Sequence, residues 1–250
     1  MSSSIWTRCA GDSELRALRL APWRVVEAQH QVSTRKLVDS VAEQELLEEL
    51  IERVKPPEVT SGRLHYLLFT PFRYPPLRHG SRFGARHERG IWYGAETSAT
   101  ALAEVAYYRL LFLEGTHGAL GPIITSLTAF TVRARSSRAI DLVSPPFTAH
   151  RRAIASRTSY TASQALGTAM RSGGVELFRY PSARAVDGVC IGAFVPSVFG
   201  AAKPQKFETW HCTATKEHVE FAQSDYRARQ TRVHERSEFL VDGALPAPAL

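Results

Sequence analysis

In the stretch GIWYGAETSATALAEVAYYR, Gly90 to Arg109, the glutamate at position 104 stands among alanines, aromatics and branched apolar residues. Read as a helix, the segment places Thr100, Ala101, Tyr107 and Tyr108 one turn from Glu104, and none of these is cationic. No partner on its own helix therefore neutralises the carboxylate. Either it faces water on the far side of the helix, as most charged side chains do, or it is buried and needs a partner from elsewhere in the fold. A carboxylate kept in such surroundings is available to stabilise positive charge developing on a substrate.

Other residues near it in sequence carry complementary chemistry. The loop FRYPPLRHGSRFGARHERG, Phe72 to Gly90, holds Arg73, Arg78, Arg82, Arg86 and Arg89 against one acid, Glu88. Guanidinium groups at this density can cradle a pyrophosphate through bidentate bonds, or simply form a solvated basic loop. Tyr93 alternates with Trp92 on a strand pattern and can stack on a flat, cationic ring or serve the core. Ser182, in RYPSAR, lacks the G-x-S-x-G context of an activated nucleophile and reads as a turn serine. His211, Cys212 and His218 are the nearest approach to a metal set, without a ligand spacing that specifies one. No G-x-G-x-x-G follows a strand, which disfavours a Rossmann oxidoreductase.

The elements that must position these groups follow from periodicity. Residues 1–35 read as an irregular polar lead-in. From Leu37, Val41, Leu47, Leu50, Ile51 and Val54 recur at helical steps opposite five glutamates, up to the stop at Lys55-Pro56-Pro57. Arg63–Phe72 and GIWYGAE read as strands, and a helix runs from about Thr97 to Leu113 behind the cap candidates Thr97 and Ser98. Pro122–Arg135 and Ala139–Val143 read as strands. A helical or mixed pattern then ends at Ser172-Gly173-Gly174. VELFRY, GVCIGAFV and KFETWHCTAT are further strands, and the last 25 or so residues read as a poorly packed tail. Strands and helices do not alternate regularly, so the fold class is α+β. The division is residues 1–60 as an N-terminal extension with one amphipathic helix, 61–224 as a catalytic domain and 225–250 as a C-terminal tail.

Composition sets wider bounds. The 250-residue chain is 44% hydrophobic and 22% charged, ordinary for a globular protein. Its net charge of +7 comes mostly from arginine, since lysine occurs only at positions 36, 55, 203, 206 and 216. Such a surface favours phosphate-bearing or acidic partners, and a noncatalytic basic module binding nucleic acid or an acidic protein uses the same charges. Cys9, Cys190 and Cys212 form no C-x-x-C pair and read as reduced structural thiols. With no apolar signal region or membrane-length run, the expected location is cytoplasmic.

The order of the motifs carries more than each alone. PFRYPPLRHGSRFG, GIWYGAETSATALAE and RYPSAR, within roughly Arg63 to Val195, resemble the RES-domain family, bacterial proteins named for an arginine, a glutamate and a serine and mostly toxins of toxin–antitoxin pairs. The resemblance implies an ADP-ribosyltransferase-like core of mixed or antiparallel β-sheet with flanking helices, and an enzyme that consumes NAD+ as substrate without a metal. It assigns the family's arginine to Arg82, its tyrosine to Tyr93, its glutamate to Glu104 and its serine to Ser182, with Arg73 a second arginine candidate. On this basis the arginines anchor the diphosphate, Tyr93 stacks on nicotinamide, Glu104 faces the ribose and Ser182 orients Glu104 or the ribose. The acceptor is water, phosphate or a cellular protein. The implied partner is a cognate, Xre-like antitoxin that occludes the cleft, in a complex that can be oligomeric and meets nucleic acid only through the antitoxin.

Overall fold

The structure, a computed structural model, describes residues 4–28, 38–54, 64–74, 79–116, 118, 121–224 and 230–247. In chain order the elements are α1 (Ile5–Arg8), β1 (Arg16–Leu20), β2 (Trp23–Glu27), α2 (Val41–Val54), α3 (Tyr66–Arg73), β3 (Trp92–Ala95), α4 (Ser98–Glu114) and β4 (Ile123–Thr131). There follow β5 (Ala134–Asp141), α5 (Arg151–Ile154), α6 (Thr161–Ser172), β6 (Leu177–Pro181), β7 (Val189–Ala193), β8 (Gln205–Ala214), β9 (His218–Gln223) and β10 (Thr231–Glu235). Among the described residues the ten strands form one sheet, in the order β1-β5-β6-β7-β3-β2-β4-β8-β9-β10. The β5–β6 pair is parallel, bridged by the α5–α6 crossover, and the other named pairs are antiparallel. This is the mixed α+β class that the pattern implies. No helix among the described residues is long and apolar enough to cross a membrane.

The central helix, α4, explains much of the architecture. Thr97 caps it by accepting a hydrogen bond from the Thr100 amide. Its apolar residues wrap most of its circumference, so it is built to be covered rather than to float on a surface. Leu102, Ala106, Tyr107 and Leu110 pack on Leu127, Trp210 and Phe221 of the sheet. Each leucine so buried contributes about 1.5–3 kcal/mol. A second cluster joins α1 and α6 to the same sheet through Trp6, Leu166, Met170 and Phe178. A third, holding Leu68 and Phe72 of α3, lies against Trp92, Phe130 and Ile191.

The lead-in expected over residues 1–35 is in its described part ordered and central. Trp23–Glu27 forms β2, which lies between β3 and β4. The boundary drawn at residue 60 therefore cuts through the sheet. Arg63–Phe72 is not a strand: the described part is helical from Tyr66, with His65 Nδ1 accepting from the Leu67 amide at 3.3 Å. Leu68 and Phe72, one turn apart, are the residues it buries. A short apolar run fits either period, and here the turn-spaced burial decided. The strand expected from Pro122 to Arg135 ends at Thr131, and the short one expected at Ala139–Val143 is the end of a longer β5. α2 forms as the periodicity predicts, with Val41, Leu46, Leu50 and Val54 exposed. Its proline stop and Arg78 lie outside the described residues.

The C-terminal region is not a loose tail in its described part. β10 pairs with β9 over Thr231–Glu235, Phe239 is fully buried and the Tyr107 hydroxyl donates to the Pro246 carbonyl. Phe239 and Leu245 belong to the same cluster as α4. A few well-spaced apolar residues sufficed to anchor a segment whose composition is otherwise polar.

Candidate active site

β2 meets β3 at one register pair, Trp23 with Ala95, whereas five pairs join β2 to β4. Beyond that pair the strands part, and a cavity of about 860 Å³ opens there, with Arg24 and Val25 on one side and Tyr93 and Gly94 on the other. α4 contributes Glu104, Tyr107 and Tyr108 to its wall, and α3 contributes Tyr66, with Tyr74 just after its end. Gly94 has no room for a side chain, since a Cβ there would sit 2.7 Å from the Trp23 carbonyl oxygen and the Trp92 ring. Its volume and mixed lining are those of a small-molecule site.

Glu104 is half-buried and points into this cavity. Its missing partner comes from β6–β7. Ser182 Oγ lies 2.6 Å from Glu104 Oε1, and the same Oγ accepts from the backbone amides of Arg184 and Ala185 at 3.0 Å each. With its lone pairs engaged by two N–H groups, the Ser182 hydroxyl has its proton to give, and the acceptor in reach is the carboxylate. Cys190 Sγ approaches the same Oε1 at 3.6 Å. Burial and the nearby Glu104 hold the Cys190 thiol well above its usual range, so it stays protonated and can only donate. Both donors reach Oε1, and Oε2 has no hydrogen-bond partner among the described residues.

Arg82 and Tyr93 join Glu104 in lining the cavity. Arg82 is 7% exposed; its Nη1 donates to the carbonyls of Ser156 at 2.9 Å and Ile154 at 3.4 Å, and its guanidinium covers the Tyr160 ring at 4.8 Å. Burial alone would weaken its hold on the proton, but Tyr160 and Glu104 reverse the balance and raise its pKa. Its nitrogens thus already brace the segment before α6. The loop carrying it is stitched down by the Gln164 amide, which donates to the carbonyls of His79 and Ser81. Tyr93 shares a hydrogen bond with Ser81 Oγ at 2.9 Å and accepts from the Phe83 amide at 3.1 Å. Burial pushes its phenol up to about 12, so it remains neutral. Arg73 is not among the residues lining the cavity; its guanidinium lies over Tyr74 at 5.9 Å.

Sequence reasoning passed over Arg24, Arg184 and Cys190. Arg24 Nη1 donates to the Tyr93 carbonyl at 2.7 Å, its guanidinium sits 5.3 Å from the Trp92 ring centre, and its Nε has no partner among the described residues. Desolvation lowers its pKa to about 10. No carboxylate among the described residues pairs with it, so the cavity is lined by a half-buried cation that has no counter-ion among them. The signal for its strand was present: Pro22 followed by Trp23, Val25 and Val26. Arg184 stacks over Tyr107 at 3.4 Å, and burial lowers its pKa despite Tyr107 and Glu104. No local pattern pointed to it or to Cys190. Among the described residues no group of three or more His, Cys, Asp or Glu is placed to hold a metal ion.

A family model described as the RES domain matches residues 55–215. The chain belongs to the RES-domain family. Glu104, Tyr93, Arg82 and Ser182 of this RES-domain protein all fall within the matched residues, whereas Arg24 comes from a strand that precedes them. Among solved structures, one similar chain is in the crystal structure of the MbcT–MbcA toxin–antitoxin complex of M. tuberculosis, with 13% identity and a TM-score of 0.47. That likeness covers 82% of this chain and 91% of the other. No match is found among curated proteins.

Proposed function

We propose that this RES-domain protein is a toxin-type enzyme that cleaves the nicotinamide–ribose bond of NAD+, by hydrolysis or phosphorolysis. The observation that carries the reading is Glu104, fixed through one oxygen by Ser182 and Cys190, in the wall of a cavity also lined by Arg24, which pairs with no carboxylate among the described residues. In NAD+ the nicotinamide nitrogen is already cationic. As the C–N bond breaks, its electron pair neutralises the leaving ring and positive charge passes to the ribose, as in glycoside hydrolysis. Glu104 Oε2 stabilises that charge and accepts from the 2′-hydroxyl, and a prepositioned carboxylate in a half-buried site acts more strongly than one in solution. Arg24 binds the diphosphate, a role for which its missing counter-ion suits it. Tyr93, neutral and fixed at its hydroxyl, offers its ring to the nicotinamide. Arg82 supports the wall and adds positive potential. Ser182, with its proton committed to Glu104, positions the carboxylate and is not the nucleophile.

The acceptor that enters after nicotinamide leaves is water or phosphate; transfer of ADP-ribose to a cellular protein is the alternative that the family resemblance also implies. The resemblance further implies action in the cytoplasm and restraint by a cognate, Xre-like antitoxin over the cavity. Nicotinamide release by the purified protein, freed of any inhibitor, tests the reading. Wild-type protein should release it, and Glu104→Gln should lower the rate by at least about a hundredfold while remaining folded, in the range of losing one charge-stabilising group. A folded wild-type protein that leaves NAD+ intact would remove the proposal. Mass spectrometry of the ribosyl product with and without phosphate separates the acceptors.

A further inference from the structure

Seven of the chain's 8 tyrosines line the one cavity that holds Glu104. Four of them are already employed in the inner wall. Tyr107 bonds to the C-terminal segment, Tyr160 lies beneath Arg82, Tyr93 is held by Ser81, and Tyr180 packs on Phe83. The other three, Tyr66 and Tyr74 of the α3 side and Tyr108 of α4, stand at the mouth and remain 43%, 37% and 53% exposed.

These three rings are placed rather than adrift. α3 is seated against the cavity at Gly90, where a Cβ would lie 2.0 Å from the Pro71 carbonyl oxygen and 2.5 Å from that of Tyr74. Each ring is steadied by a sequence neighbour: His65 at 4.5 Å from Tyr66, Arg73 over Tyr74 at 5.9 Å and Tyr107 at 5.0 Å from Tyr108. The Tyr108 hydroxyl is also within 3.1 Å of that of Tyr160. Large aromatic area left in water at the rim of a concave site is what a ligand covers. A tyrosine does this with only two side-chain torsions to freeze.

We infer that Tyr66, Tyr74 and Tyr108 form an outer subsite that stacks on the purine base of a dinucleotide whose other ring lies inside against Tyr93. The inference rests on the NAD+ reading for the orientation of the ligand, but the subsite itself rests on the rim. Arg24 lines the same cavity, its Nη1 bonded to the Tyr93 carbonyl. A ligand with two flat rings joined by a diphosphate would find both aromatic and cationic groups in this one lining. Every base offers a π-face, so stacking supplies affinity without a dedicated hydrogen-bonding set.

The test uses AMP and ribose 5-phosphate, which share the phosphate and differ by the base, in calorimetric titrations of the full-length protein. AMP should bind at least about tenfold more tightly than ribose 5-phosphate and be displaced by NAD+, one stacked base corresponding to roughly that factor. Tyr66→Ala and Tyr74→Ala should each weaken AMP several-fold and raise the KM for NAD+, whereas Tyr66→Phe and Tyr74→Phe retain binding because the ring remains. AMP binding no tighter than ribose 5-phosphate, in wild-type protein, overturns the subsite whether or not NAD+ is cleaved. Alanine variants that stay folded and bind AMP as the wild type does also overturn it. A single-stranded oligonucleotide that binds far more tightly than AMP reassigns the rim to nucleic acid. Tyrosine-dependent AMP binding without NAD+ cleavage leaves the subsite standing and removes the catalytic reading.

Discussion

Ser182 Oγ stands 2.6 Å from Glu104 Oε1, joining residues 78 positions apart in the chain. The contact ties the end of β6 to the middle of α4 and fixes which oxygen of the carboxylate is committed. We predict that Ser182→Ala acts twice. It leaves the amides of Arg184 and Ala185 without their acceptor, at a cost of about 1–3 kcal/mol per buried unsatisfied group, and it lets Glu104 rotate. Nicotinamide release should fall by about tenfold or more, and the double variant with Glu104→Gln should be no slower than Glu104→Gln alone. Additive losses in that cycle would show that the serine does not act through the glutamate.

Arg24 sets stability against binding. A desolvated cation whose Nε has no partner among the described residues weakens the unliganded fold. Arg24→Met keeps the stem and removes the charge. We predict thermal unfolding at or above the wild-type temperature together with a rise of at least about tenfold in the KM for NAD+, as for loss of one charge-assisted bond. A variant that melts several degrees lower while binding NAD+ normally would make Arg24 a structural residue only.

Tyr93 gives a pH signature of definite sign. Its phenol is raised from 10.0 to about 12 by burial. Below pH 10 both folded and unfolded chains hold the proton, and between pH 10 and 12 the unfolded chain gives it up first. Stability therefore falls across that window, by at most about 2–3 kcal/mol from this group. Arg24, lowered to about 10, contributes in the opposite sense over part of the same range. Comparing denaturant unfolding of wild type and Tyr93→Phe isolates the tyrosine: the variant should lose less stability between pH 10 and 12. Equal slopes would refute the burial argument.

Phe239 tests the C-terminal packing. It is fully buried in the cluster that supports α4. Phe239→Ala should cost about 3–5 kcal/mol, in the range for a large core truncation. Because Tyr107, beside it at 6.1 Å, also lines the cavity, catalytic activity should drop at temperatures well below unfolding. A change within about 0.5 kcal/mol, the scale of a surface substitution, would return the segment to the status of a tail.

Local rules were enough wherever one element settles its own structure. Thr97, the alanine-rich run and the absence of a cation near Glu104 located α4, its cap and its unusual carboxylate before any contact was known. A run rich in β-branched residues located β4, and short apolar and aromatic runs located β6, β7 and β8. They did not separate helix from strand at Leu67–Phe72, where the run is short and both periods fit. Nor did they find β2, whose five residues are ordinary until they are seen between β3 and β4.

The candidate site divides along the same line. Arg82, Tyr93 and Glu104 lie on consecutive elements, so their order in the chain already suggested one cavity. The placing of Arg24 rather than Arg73 in the cavity wall, and of Cys190 as the second donor to Glu104, depends on strands distant in sequence becoming neighbours.

From its sequence alone, this protein is an α+β chain with a lone carboxylate on an apolar helix and arginines placed ahead of it, because periodicity, caps and charge spacing are properties of neighbours along the chain. Only the tertiary structure decided which arginines line the cavity, which oxygen of Glu104 is hydrogen-bonded and which cavity tyrosines stay exposed. Burial, desolvation and hydrogen-bond satisfaction are set by whatever packs against a residue, and in this sheet that neighbour comes from far away in the chain.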